Sequence, residues 1–345
     1  MKLTFIWQNL SSADEGHLMP DFQWIREIFK PLAGEQIFER DRRTIVDNCL
    51  LIDGWFHHLP RDYYRQFRGK NAWLLHLFDE TYEGGYDVYD NFRGVIRTYW
   101  TDMFNPRRVM QIPLGSINGF NLDLVSQDAA QRPYLWSFLG SGKRGSRPEM
   151  LNALKPLKPS FIHVTDAGSV QPIEKDRYQE ILRESIFVPC AMGNVNLDTF
   201  RISEALECGA IPVLEKRMRF DYFAKLFGPH PLPTFANWSL AARFLEATYN
   251  DRDALNRLQR VCSGWWSDYK HNLTARIVDF VSNPASAQEE GSLNWRGGIP
   301  GWQARELLRH HTTMAAVRRL KMQMNRLTNG EPLRKTHGTG RRGRV

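Results

Sequence analysis

The sequence predicts an α/β protein made of two Rossmann-like halves that face a central cleft. Three observations carry this expectation. Short apolar runs alternate with amphipathic stretches over the first 125 residues, a small and polar stretch at 125–132 interrupts them, and a second alternating set follows. Strands that alternate with helices form parallel sheets, because each helix crosses back over the sheet before the next strand begins.

In the first half the expected strands are 3–7, 49–52, 73–77, 95–97 and 109–112. Asp21 is placed to cap a helix whose Phe22, Ile25, Ile28 and Phe29 share a face. Pro60 opens another helical stretch with Tyr63, Tyr64 and Phe67. In the second half a strand at 134–139 is followed by a helix near 148–157, a strand at 161–165 and a helix at 178–184. A strand–loop–helix–strand unit closes the set at 186–214. Residues 239–282 and 302–327 read as helices, the latter with Leu307, Leu308, Val317, Leu320 and Met324 as its apolar positions. The expected organisation is a first domain at 1–125, a second at 133–285, a helical segment at 286–329 that returns to the first domain, and a basic disordered tail at 330–345.

A chain of 345 residues is long enough for two cores. It contains no apolar run of the ~18 residues that a spanning helix needs. The N-terminus reads as a first strand, not a signal peptide. Cys49, Cys190, Cys208 and Cys262 are scattered, as expected of buried thiols in a reducing compartment. The net charge of +8 is uneven. Residues 301–345 hold eleven Lys or Arg and two Glu, leaving 35 of the 46 basic and 36 of the 38 acidic residues to the rest of the chain. The core is therefore near neutral, which argues against a nucleic-acid-binding core. The basic end suits an anionic surface such as a membrane, placing the chain in the cytoplasm, peripheral to the inner membrane face.

Two motifs bear chemistry. In the 186–214 unit a loop with Gly193 and Asn194 precedes a helix that opens near Asp198 and stops at Gly209. Arg201, Glu204 and Glu207 recur every three residues along it, a charged face beside a strand-end loop that suits a nucleotide. The second motif, Gly140-Ser141-Gly142-Lys143-Arg144-Gly145, spells G-x-G-x-x-G, with Asp166 21 residues after Gly145. By the letter this is a dinucleotide fingerprint, implying an NAD(P)-dependent oxidoreductase. However, Ser146 to Glu149 reads as a capping box that would start the helix only after the third glycine. Lys143, Arg144 and Arg147 at a helix N-terminus suit a diphosphate equally well. No Walker A pattern and no Asp-x-Asp at a strand end is present, and the adjacent pairs His57-His58 and His310-His311 point their side chains apart, so no metal site is expected.

The run from Arg201 to Ala205, followed by Cys208-Gly209-Ala210-Ile211-Pro212-Val213, resembles the signature of exostosin-like (family 47) glycosyltransferases, closest to their ribitol xylosyltransferase-like branch. Weaker echoes lie upstream in the order the family implies, at 75–80, 95–100, 112–115 and 138–147. The resemblance implies the GT-B architecture, in which a cleft between two lobes holds donor and acceptor. It further implies a metal-independent, inverting transfer without a cofactor from a nucleotide sugar, a UDP-sugar, to a hydroxyl of a cell-surface glycan or polyol-phosphate acceptor. Glu204 would hold the ribose hydroxyls. Ser141, Lys143, Arg144, Arg147, Gly193, Asn194, Asn196 and Arg201 would complete the donor site, with the amides of 193–196 near the diphosphate. The acceptor's proton would go to Asp79 or Glu80 at a strand end, with Asp53 and His57 as substitutes. Asp53, His57 and Arg97 would face the acceptor. A binding protein that keeps the fold without the chemistry is a further alternative.

Overall fold

The computed structural model describes residues 1–8, 22–54, 61–82, 84–117, 120, 127–165, 173–217, 220–284, 291–293, 298 and 300–312. Residues 1–300 form one compact unit and 301–345 a second. In the second, 301–312 are helical; the rest of the helix expected to 327, and the basic tail, lie outside the described residues.

The first lobe is a six-stranded parallel sheet of β1 (Leu3–Gln8), β2 (Ala33–Glu39), β3 (Cys49–Gly54), β4 (Ala72–Leu77), β5 (Gly94–Thr98) and β6 (Val109–Ile112), in the order β2-β1-β3-β4-β5-β6. The central strands β3, β4 and β5 are buried along their whole length, so their sequences are near-continuous apolar runs, as a sheet covered on both faces requires. β2 was not expected. It is a half-exposed edge strand whose Gly34, Glu35 and Gln36 interrupt any apolar run. Helix α1 (Phe22–Ile28) buries Trp24 and Ile25, and α2 (Arg61–Arg65) buries Tyr63 and Tyr64.

The second lobe holds β7 (Tyr134–Gly140), β8 (Ser160–Val164), β9 (Ser185–Cys190), β10 (Ile211–Glu215) and β11 (Thr234–Phe235), all parallel, in the order β11-β10-β9-β7-β8. Its helices are α3 (Arg147–Leu154), α4 (Lys175–Arg183), α5 (Phe200–Glu207), α6 (Tyr222–Phe227), α7 (Trp238–Tyr249) and α8 (Arg252–Ser282). Relabelled by position in its own lobe, each sheet begins 2-1-3-4-5. The strand order therefore reverses between β1 and β3 and again between β7 and β9. Open α/β sheets bind ligands beyond the carboxyl ends of the strands at such reversals.

The expected linker is anchored. Ala129 and Ala130 donate their N–H groups to Gln259 (2.7 Å) and Asn256 (2.9 Å) of α8, and buried Arg132 donates to the carbonyls of Ser185 and Cys208. The crossing back to the first lobe is made by α8 itself. Trp266 stacks on Trp24 of α1 (5.6 Å between centroids, 6° between planes), and Lys270 approaches Glu27 at 3.5 Å. The Phe280 ring lies so close to Gly94 that a Cβ there would meet it at 2.9 Å. Residues 291–293 also reach the first lobe, where Asn105 donates to the Ser292 carbonyl (3.0 Å). All four cysteines are buried and free, and no helix among the described residues is long and apolar enough to cross a membrane.

Candidate functional site

The site grows from the second reversal point. β7 ends at Gly140 and the chain turns through 141–146 before α3 begins at Arg147. Gly145 has φ +51°, and a Cβ there would lie 2.4 Å from the Met192 carbonyl oxygen and 2.5 Å from that of Gly193. Only glycine fits. It seats this loop on the loop that follows β9. In a dinucleotide fingerprint the third glycine instead packs the helix against its strand. The expected capping box does not form: Ser146 makes no side-chain cap bond to α3. Its hydroxyl bonds the Glu215 carboxylate and accepts the Met192 N–H (3.1 Å), tying β10 to the same pair of loops.

Two arginines meet beneath this junction. Arg147 donates to the Ser141 carbonyl at 2.9 Å, and Arg201, on α5, donates to the Leu139 carbonyl at 2.6 Å. Both guanidinium groups lie over the Phe138 ring, at 6.0 and 4.7 Å from its centroid. The Nε of each is buried without a partner among the described residues. Burial, helped by the like charges of Arg201 and Arg144, pushes the Arg147 pKa down to about 10. The site thus holds more positive charge than its own acids offset.

Glu204 lies one turn beyond Arg201 and accepts the Tyr178 hydroxyl at 2.6 Å. Burial raises its pKa, while the Tyr178 bond and Arg201 pull it down. Arg147, Arg201, Glu204 and Tyr178 line a cavity of about 450 Å³, with Lys175 and Thr199 and a wall of Ile117, Ile173 and Phe200. Glu207 is not part of it. Each step of three residues falls 60° short of a full turn, so Glu207 points elsewhere. It accepts Trp266 Nε1 (2.9 Å) and Lys270 Nζ (3.1 Å) of α8, and burial pushes its pKa up to about 7.

Glu80, expected as a base, and the 194–196 amides, expected at the diphosphate, are bonded to each other. Glu80 Oε1 accepts the backbone N–H groups of Asn194 (3.1 Å), Val195 (2.8 Å) and Asn196 (3.1 Å), and its Oε2 accepts Asn194 Nδ2 (3.1 Å). Its carbonyl accepts Asn196 Nδ2 (3.1 Å). A Cβ at Gly193 would stand 3.6 Å from Glu80 Oε1 and 4.0 Å from Arg147 Nη2, ordinary contact distances, so the site does not require glycine there. Two further bonds cross between the lobes. Leu114 N–H donates to Asp198 (2.8 Å), and Trp100 N–H donates to the Tyr222 hydroxyl oxygen (3.0 Å). Burial pushes the Asp198 pKa up to about 7.

The other expected residues are distributed as follows. Asp79, 10% exposed, accepts the Tyr86 hydroxyl (2.7 Å) and Arg97 Nη2 (3.1 Å) on Oδ2. Arg97 is fully buried between Phe104 (4.5 Å), Tyr82 (5.4 Å) and Tyr86 (5.6 Å), so it supports Asp79 and cannot face an acceptor. Asp53 is also fully buried, accepting Gly54 N–H (2.8 Å), the Tyr64 hydroxyl (2.8 Å) and Arg42 (3.3 Å). Burial outweighs these bonds and pushes its pKa up to about 6. Lys143 and Arg144 are exposed beside Arg147. His57 and Asp166 lie outside the described residues. Among the described residues no group of three or more His, Cys, Asp or Glu is placed to hold a metal ion. The sequence reading missed Tyr178 and Lys175 as site residues. Both lie on α4, 26 or more residues from Glu204, and only the packing of α4 on α5 brings them there.

The two parallel sheets, the facing lobes and the strand-end cavity are those of a GT-B glycosyltransferase fold. An α1,3-fucosyltransferase superposes with a TM-score of 0.50 at 13% identity, covering 83% of this chain and 92% of its own. The T4 phage β-glucosyltransferase, solved with UDP and Mn²⁺, gives 0.50 at 10% identity, covering 81% and 99%.

Residues 121–284 match the RXYLT1 C-terminal domain. Mouse ribitol-5-phosphate xylosyltransferase 1 is 25% identical over 250 residues, covering 66% of this chain and 52% of the relative. The human protein is 31% identical over 157 residues, covering 43% and 35%. The chain spans about half the length, or less, of these relatives. It is thus similar to the ribitol xylosyltransferase branch of the exostosin-like glycosyltransferases, the branch its 201–213 signature resembles.

Proposed function

We propose that this chain is a glycosyltransferase that binds a nucleotide sugar, a UDP-sugar, in the second lobe. The sugar would pass to a hydroxyl of a cell-surface glycan or polyol-phosphate acceptor by one inverting displacement. The observation that carries the reading is the pair Arg147 of α3 and Arg201 of α5, each with a buried Nε that has no partner among the described residues, lining one cavity with the buried carboxylate of Glu204. Each guanidinium spends one nitrogen on a backbone carbonyl and has donors left over, which suits a diphosphate, whose oxygens accept in pairs. The carboxylate suits a ribose diol. The relatives' names add a sugar and a phosphorylated polyol, and the phage enzyme's UDP adds the nucleotide.

In this mechanism the acceptor oxygen attacks the anomeric carbon and the bond to the diphosphate breaks. The acceptor proton goes to a first-lobe carboxylate. We assign that role to Asp79, at the end of β4 and positioned by Arg97; Asp53, fully buried with both oxygens engaged, cannot meet an acceptor. The guanidinium pair stabilises the departing diphosphate without a bound metal. The basic 301–345 segment would hold the chain at an anionic membrane face in the cytoplasm. No observation favours the oxidoreductase alternative.

A thermal-shift screen of nucleoside diphosphates tests the donor site. UDP at a hundred times its dissociation constant should add ~2.7 kcal/mol of stability. The shift should survive EDTA and shrink by about half in Glu204→Ala at the same UDP concentration. A shift with NAD(P)H and none with UDP would reverse the assignment.

A further inference from the structure

We propose that Tyr178 is a positioning residue of the donor site, holding Glu204 by one oxygen so that the other meets a ribose hydroxyl. The inference rests on the donor-site reading above, and it concerns a residue outside the 201–213 signature. The Tyr178 hydroxyl stands 2.6 Å from Glu204 Oε2, within the range of short, charge-assisted O–H···O⁻ bonds. Burial, together with the neighbouring Glu204 charge, raises the phenol pKa well above its ordinary value, so Tyr178 stays a donor throughout the working range. The ring is itself fixed, edge-on to Phe120 at 6.1 Å and 85°.

The geometry divides the carboxylate between two tasks. Oε2 is taken by an internal donor, which locks the side chain in one rotamer. Oε1 is left for the ligand. A glutamate without this anchor would sample several rotamers around the cavity, and each donor-binding event would have to order it again. Arg201, the other charged neighbour of Glu204, is directed to the Leu139 carbonyl and over the Phe138 ring. Tyr178 is therefore the group that orients this carboxylate.

The experiment compares the full-length wild type with Tyr178→Phe, which keeps the ring and its contact with Phe120. Calorimetric titration with UDP and with 2′,3′-dideoxyuridine diphosphate separates hydroxyl recognition from the rest of the site. The wild type should prefer UDP by at least about tenfold. In Tyr178→Phe, UDP affinity should fall about tenfold, the scale of one hydrogen bond to a charged group. Affinity for the dideoxy analogue should stay the same, so the preference disappears. Glu204→Gln should also lose the preference. A purely structural tyrosine would either change nothing or weaken both ligands equally, and either result overturns the inference. Failure of the wild type to bind UDP at all would instead remove the donor-site reading, and this inference with it.

Discussion

Arg147→Met is expected to lower turnover from a nucleotide-sugar donor by about 10²–10³-fold, the scale of removing one preorganised group from a developing negative charge. The diphosphate gains charge only as its bond to the sugar breaks, so the loss should fall on kcat more than on KM. The one hydrogen bond that the Arg147 side chain makes among the described residues is to the Ser141 carbonyl, and burial and two neighbouring cations already strain its charge. Methionine fills similar space without that charge, so the folded chain should be at least as stable as the wild type. Arg147→Lys should recover little, because an ammonium cannot supply the planar pair of donors. Steady-state kinetics with a denaturant midpoint on the same preparation decides the matter. Unchanged kcat would remove Arg147 from the reaction.

Glu80→Ala is expected to destabilise the fold by about 3 kcal/mol or more. Three backbone N–H groups and Asn194 Nδ2 would lose their acceptor at once. Glu80→Gln keeps the carbonyl acceptor and should recover part of the loss. Glu80 belongs to the first lobe and residues 194–196 to the second, so hydrogen exchange at those three amides should accelerate before the rest of the protein loosens. An Ala variant with the wild-type midpoint and protected amides would mean that other contacts hold this seam.

Where the sequence was readable, it was readable for a physical reason. Strands buried on both faces announce themselves as apolar runs, so β3, β4, β7 and β9 were found within a residue or two. The edge strand β2, with Glu35 and Gln36, and the two-residue β11 carry no such signal. The Arg201–Glu204 spacing was legible because one helical turn fixes it; Glu207 was misassigned by extending that spacing one step too far. Glu80 and the 194–196 amides were each recognised as site residues but given separate tasks. Their pairing spans 114 residues or more and depends on how two lobes close, which no local pattern encodes. The matching strand order of the two sheets is equally silent in the sequence, since it is a repetition of topology and not of residues.

The 31-residue α8 is a single rod ~46 Å long. It carries Trp266 against α1, Phe280 against β5 and Gln259 against both the interlobe connection and the Gly209 carbonyl. The rod thus packs against both lobes and buries Leu255, Trp266, Leu273 and Ile277 there. Scanning calorimetry should therefore record one cooperative heat-absorption peak for residues 1–300, and a chain cut between the two sheets should yield fragments that melt broadly or not at all. Exchanging the first lobe as a module would then strip the second of its packing.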